Sequence, residues 1–171
     1  MTTGSDIRRA RFVVSYRGTA FRGAAESPGV RTVIGELRTA CEQILGQPIE
    51  FTLAGRTDAG VHALGQVISC HLPGAVDPSD LAHRLSRMCA PDIAVRSGDW
   101  APDDFNARFS ASSRSYRYHV WNAPEGNPLL HDLTWHVAQS LNLDLMNEAA
   151  QVVVGQHDFS SFCRAPDPAP D

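Results

Sequence analysis

The segment AGRTDAGVHALGQV (54–67) constrains this chain more than any other. Gly55 and Gly60 bracket Arg56-Thr57-Asp58-Ala59, and the flanking runs, Glu50 to Ala54 and Gln66 to Leu72, have the composition of β-strands. Glycine lacks a Cβ, so the backbone at such a bracket can turn sharply or approach a ligand closely. A turn of this kind displays Asp58 where a sheet opens, on a rigid base. Two uses of that carboxylate stay open. Judged only as a turn residue, Asp58 bonds its own backbone in an Asx-turn, the commoner fate. Displayed outward and ionised, it can serve as a nucleophile or base. Arg56, two residues earlier, offers a planar donor fork to a phosphate or to a displaced base.

The rest of the chain supplies a frame for that turn. Arg11 to Tyr16 (RFVVSY) is a β-branched and aromatic run, expected to be a strand. Arg17 to Gly29 is rich in Gly, Ser and Pro and reads as a loop. Thr32 caps a helix in which Val33, Leu37, Cys41, Ile44 and Leu45 form a stripe at helical spacing, and Gly46 stops it. Asp77 and Pro78 open a second helix carrying Leu81, Leu85 and Met88. Ile93 to Ser97 is a further strand. Arg114 to Asn122 (RSYRYHVWN) alternates and predicts a strand, Thr134 to Val137 another, and Asn142 or Asp144 opens a last helix running to Gly155. The order predicts an α+β fold, with a mixed or antiparallel sheet and helices packed on one face.

Composition excludes several classes of protein. No run approaches the ~20 apolar residues needed to cross a bilayer. The first residues carry charge without an apolar stretch, which leaves the cytosol as the expected location. All 15 basic residues are arginine, against 19 acids. Residues 1–117 hold 14 arginines against 12 acids, whereas residues 118–171 hold one against seven. Any nucleic-acid partner is therefore met by the first part of the chain, and the whole is not the basic protein that nonspecific binding requires. Cys41, Cys70, Cys89 and Cys163 show no zinc spacing and read as reduced thiols.

Two more segments carry chemistry-bearing residues. In strand geometry Tyr116 and Tyr118 share a face while Arg117 takes the other. An aromatic among arginines suits a stacking pocket for a nucleobase, although half-burial in a sheet is the commoner fate of a strand tyrosine. In GQHDFSSF (155–162) adjacent His157 and Asp158 diverge, which favours a structural role. Asp58 and His62 have i, i+4 spacing, but Gly60 between them argues against a helix, so a metal site or a metal-dependent hydrolase there is disfavoured. No Gly-x-Ser-x-Gly elbow is present for a serine hydrolase.

Three segments in order, AGRTDAGVHALGQV (54–67), FNARFSASSRSYRYHVWN (105–122) and GQHDFSSF (155–162), resemble the tRNA pseudouridine synthase A family. Weaker similarity covers VSYRGTAF (14–21) and PDIAVRSGDWAPDDF (91–105). The resemblance implies an isomerase that converts uridine to pseudouridine in the anticodon stem-loop of tRNA, without cofactor or metal. It assigns Asp58 as the nucleophile that begins breakage of the glycosidic bond, Arg56 as a group that helps displace the target nucleotide, and Tyr116 as the ring that packs on the flipped uracil. It also implies a homodimer with one tRNA reaching across both subunits.

Two departures from the family pattern stand out. The loop after the first strand reads Phe21-Arg22-Gly23-Ala24-Ala25-Glu26, where the family usually carries Gly-Trp-Gln. Family members also continue past GxHDFSSF into a His-His-Met-Val-Arg-type strand whose basic residue pairs with the catalytic aspartate, and no such stretch occurs here. The expected organisation is an N-terminal half over 7–110 that carries Asp58, the start of a second half over 111–164, and a disordered tail over 165–171. The alternative function is a truncated, non-catalytic module that binds RNA or serves in assembly.

Overall fold

The computed structural model describes residues 6–162. The expected disordered tail at 165–171 lies outside the described residues, as do Cys163 and Arg164. The chain divides into two compact units, Met1–Arg117 and Tyr118–Asp171.

The first unit is an α+β layer structure. Its strands are β1 (Ile7–Tyr16), β2 (Thr52–Leu53), β3 (Ala63–Pro73) and β4 (Ile93–Trp100), joined into one antiparallel sheet in the order β2-β3-β1-β4. The helices are α1 (Val33–Leu45) and α2 (Pro78–Met88). Period-two alternation turns Ala10, Phe12, Val14 and Tyr16 of β1 to one face, with Ile68, Cys70 and Leu72 of β3 and Ile93 and Val95 of β4 beside them. The helical stripes complete the same core: Val33, Ile34, Leu37, Ala40 and Cys41 from α1, and Leu81, Ala82 and Leu85 from α2. On the opposite face Ser69 is fully buried, because the segment after β4 crosses there and the Ala107 N–H donates to Ser69 Oγ at 3.2 Å.

The helix ends follow the sequence signals. Thr32 Oγ1 accepts from the Gly35 N–H, Gly46 closes α1 in the left-handed region at φ 69°, and Asp77 caps α2 with Pro78 inside its first turn. Burial pushes the Cys41 and Cys70 thiols up to about 12 and the Cys89 thiol up to about 11, so all three are neutral at physiological pH.

In the second unit β5 (Val120–Asn122) and β6 (Trp135–Val137) form a two-stranded parallel pair, followed by α3 (Leu143–Gln151), which Asn142 caps. α3 buries none of its residues, and Leu143, Leu145 and Met146 are all exposed. The strand expected over Arg114–Asn122 is confined to its last three residues. Alternation qualifies a segment for a sheet, but a strand also needs a neighbour for its backbone N–H and C=O groups. Among the described residues β6 offers that neighbour to Val120–Asn122 only. Tyr116 and Tyr118 are accordingly not half-buried sheet residues; they are 76% and 82% exposed.

Candidate active site

The loop between β2 and β3 carries the motif, and its backbone is pinned on both flanks. Before Asp58, the Ala54 carbonyl accepts from Arg114 Nε at 3.0 Å and Arg114 Nη2 at 2.6 Å. The Gly55 carbonyl accepts from Gln66 Nε2 at 2.7 Å. Thr57 Oγ1 shares a hydrogen bond of 2.7 Å with the Tyr16 hydroxyl, which Gln66 Nε2 also reaches at 3.4 Å. Alongside and after Asp58, the Ala24 N–H donates to the Thr57 carbonyl at 3.0 Å, and the Gly60 N–H donates to the Phe21 carbonyl at 3.3 Å. Phe21 and Ala24 are buried, so the loop that departs from the family pattern is a packed support under the motif.

Two glycines of that support are required by space. A Cβ on Gly18 would lie 1.9 Å from the Val61 carbonyl oxygen. Gly23, at φ 111°, has the Thr57 carbonyl oxygen 3.1 Å from its Cβ position.

Asp58 is exposed, and among the described residues its carboxylate has no hydrogen-bond or ion-pair partner. The Asx-turn expected of a turn aspartate is absent. The reason is that the backbone closes the turn without it: the Val61 N–H donates to the Asp58 carbonyl at 3.2 Å, and Gly60 takes the left-handed conformation at φ 81°. Arg56 is likewise exposed, with no partner for its guanidinium among the described residues. Tyr116 comes to the same loop from far along the chain. Its hydroxyl lies 3.8 Å from the place a Cβ on Gly55 would occupy, and Arg114 Nε lies 3.3 Å from it. The glycine bracket therefore works differently at its two ends. Gly60 provides a turn and faces open space, whereas Gly55 admits this chain's own Arg114 and Tyr116.

His62 Nδ1 accepts from the Gly18 N–H at 3.1 Å, so the ring holds the support loop. No group of three His, Cys, Asp or Glu side chains suited to a metal ion occurs among the described residues. His157 Nε2 bonds the Val154 carbonyl at 2.8 Å, and Asp158 Oδ1 accepts from the Ser160 N–H at 2.9 Å. The Ser160 backbone N–H, and with it the Ser160 hydroxyl, hold the Asp158 carboxyl below the usual carboxylate range. Both residues secure local backbone.

Sequence reasoning brought forward Arg56, Asp58 and Tyr116 and missed the residues that hold them. Tyr16, Gln66 and Arg114 all looked like ordinary residues of expected strands. The one available signal was a polar Gln and a Tyr hydroxyl on strands that flank the motif, groups that call for partners once they are partly buried.

Comparison with known proteins finds matches over most of the chain. A family model described as tRNA pseudouridine synthase matches residues 12–125, which include β2, β3, β4, the second half of β1 and both segments that build the loop. The tRNA pseudouridine synthase A of Cutibacterium acnes is 43% identical over 161 residues, covering 92% of this chain and 58% of the relative. That of Hyphomonas neptunium is 46% identical over 158 residues, covering 90% and 62%, and that of Geobacillus kaustophilus 41% over 160 residues, covering 92% and 62%. The chain thus spans about 60% of the length of these relatives. With the motif loop, its support and the Tyr116 segment all inside the matched region, the chain belongs to the tRNA pseudouridine synthase family.

Proposed function

We propose that the complete protein isomerises uridine to pseudouridine in the anticodon stem-loop of tRNA, with Asp58 as the nucleophile. The observation that carries this reading is an exposed carboxylate without a partner among the described residues, on a loop whose backbone is held from several sides. A nucleophile needs an accessible lone pair and a fixed position. The net reaction breaks the bond from ribose C1′ to uracil N1, forms one from C1′ to C5, and moves a proton from C5 to N1. It therefore balances without an oxidant, reductant or co-substrate, and no cofactor is required.

The neighbouring residues take roles that their chemistry supports. The target base must leave its stack, at a cost of a few kcal/mol. Arg56 fills the space the nucleotide vacates or holds its phosphate. The exposed Tyr116 ring receives the everted base, and stacking offsets roughly 1–3 kcal/mol of the cost. Unit 1, which bears these residues, also holds nearly all of the arginines. A cytosolic location and a homodimer that shares one tRNA belong to the same reading, on the strength of the family resemblance. No helix among the described residues is long and apolar enough to cross a membrane.

The test is mass-spectrometric mapping of pseudouridine in tRNA incubated with the complete protein. Asp58→Asn is expected to abolish the product while leaving tRNA binding in place. An undiminished yield from Asp58→Asn would refute the nucleophile assignment.

A further inference from the structure

The Asp58 carboxylate has no partner of its own among the described residues, so its position is set through the backbone. Three residues just before it are each gripped by a side chain from a different part of the fold. Ala54 is held by Arg114, Gly55 by Gln66 from β3, and Thr57 by Tyr16 from β1. Arg114 differs from the other two. Its Nη2 donates to the Ala54 carbonyl and also to the Arg108 carbonyl at 3.0 Å, while Nε donates to Ala54 as well. One planar cation thereby joins the loop bearing Asp58 to the turn at 106–110 and to the segment bearing Tyr116, two residues on. A lysine, with a single nitrogen on a flexible stem, cannot span both carbonyls in that way. Gly55 makes the approach possible, since a side chain there would meet Arg114 Nε at 3.3 Å.

We propose that Arg114 is a positioning residue for the reaction. It sets the separation between the Asp58 carboxylate and the Tyr116 ring by locking their two backbone segments together, and Gln66 fixes the adjacent carbonyl so that the loop cannot pivot about that lock. The proposal deepens the reading of Asp58 as nucleophile and rests on it. A guanidinium committed to three backbone hydrogen bonds has little left for an RNA phosphate, so its loss acts on the bound complex rather than on binding. Misplacement of a reacting group by about 1 Å lowers rates on the order of 100-fold.

The experiment compares the complete wild-type protein with Arg114→Ala, Arg114→Lys and Gln66→Ala. Three quantities are read: the single-turnover rate of pseudouridine formation at saturating tRNA, the salt dependence of tRNA affinity, and hydrogen exchange at the Ala24 and Gly60 amides, which bond across the motif loop. Arg114→Ala is expected to slow the bound-state rate on the order of 100-fold. Affinity and its salt slope should stay as in wild type, and both amides should exchange faster. Arg114→Lys, which keeps the charge but gathers its donors on one nitrogen, should recover part of the rate, and Gln66→Ala should share the phenotype in weaker form. A normal rate at saturation, with weaker binding and a shallower salt slope, would make Arg114 a phosphate contact and overturn the proposal. Should wild type make no pseudouridine, the Asp58 reading fails separately. The exchange arm then still decides the anchoring: faster exchange in Arg114→Ala upholds the lock, and unchanged exchange overturns it.

Discussion

Gly55 and Gly60 show how one residue type meets two different demands a few positions apart. At Gly60 a side chain would have room, but the left-handed φ of 81° would strain it. At Gly55 a Cβ would sit 3.3 Å from Arg114 Nε, a tight contact that Arg114 would have to yield to by a few tenths of an ångström. The Tyr116 hydroxyl lies near the loop while the residue stays 76% exposed. That geometry separates two contributions. Tyr116→Phe is expected to keep tRNA affinity, since the ring remains, and to slow turnover. Tyr116→Ala should lose affinity by about 10-fold or more, in line with roughly 1–3 kcal/mol for one base stacked on an aromatic. Filter binding together with a tritium-release assay reads both. Equal affinity of wild type and Tyr116→Ala would remove stacking from the account.

At the level of elements, α1 behaves as local rules require. Thr32 is buried, and its Oγ1 satisfies the Gly35 N–H at 3.2 Å. Thr32→Ala leaves that donor without a partner and is expected to cost about 1 kcal/mol, whereas Thr32→Ser keeps the bond. In urea denaturation the alanine variant should show a lower midpoint at unchanged slope, and an unchanged midpoint would mean that water replaces the cap without loss. The Arg114–Asn122 segment behaves otherwise. Its alternation is as regular as that of β1, yet β1 finds β3 on one side and β4 on the other, whereas among the described residues this segment finds a neighbour only at its last three residues. A strand is a property of two segments, and the second cannot be read from the first.

Across the whole molecule the two units differ in kind. The first encloses a continuous core and the second buries little, with Leu129, Trp135, Leu143, Val152 and Phe162 among its exposed apolar residues. Native-state hydrogen exchange on the 171-residue chain should therefore find long-lived amides in β1 and β3 and fast exchange throughout α3. Equal protection of α3 would contradict the exposure seen there. The 171-residue chain is also expected to turn over poorly, because among the described residues no cation pairs with Asp58. Full turnover of this chain in tritium release would show that the site is complete without further sequence.

The sequence by itself determined what depends on neighbours along the chain: the caps at Thr32 and Asp77, the left-handed stop at Gly46, the alternation of β1, and the motif that displays Asp58, while it left the start of α3 open between Asn142 and Asp144. Those features follow from hydrogen bonds and backbone conformations spanning a few residues. Tertiary structure alone decided which groups hold the loop around Asp58, because these are Tyr16, Gln66 and Arg114, which lie up to 60 positions from their partners. It also decided where β5 begins, since pairing energy comes from a partner strand that local propensity does not specify.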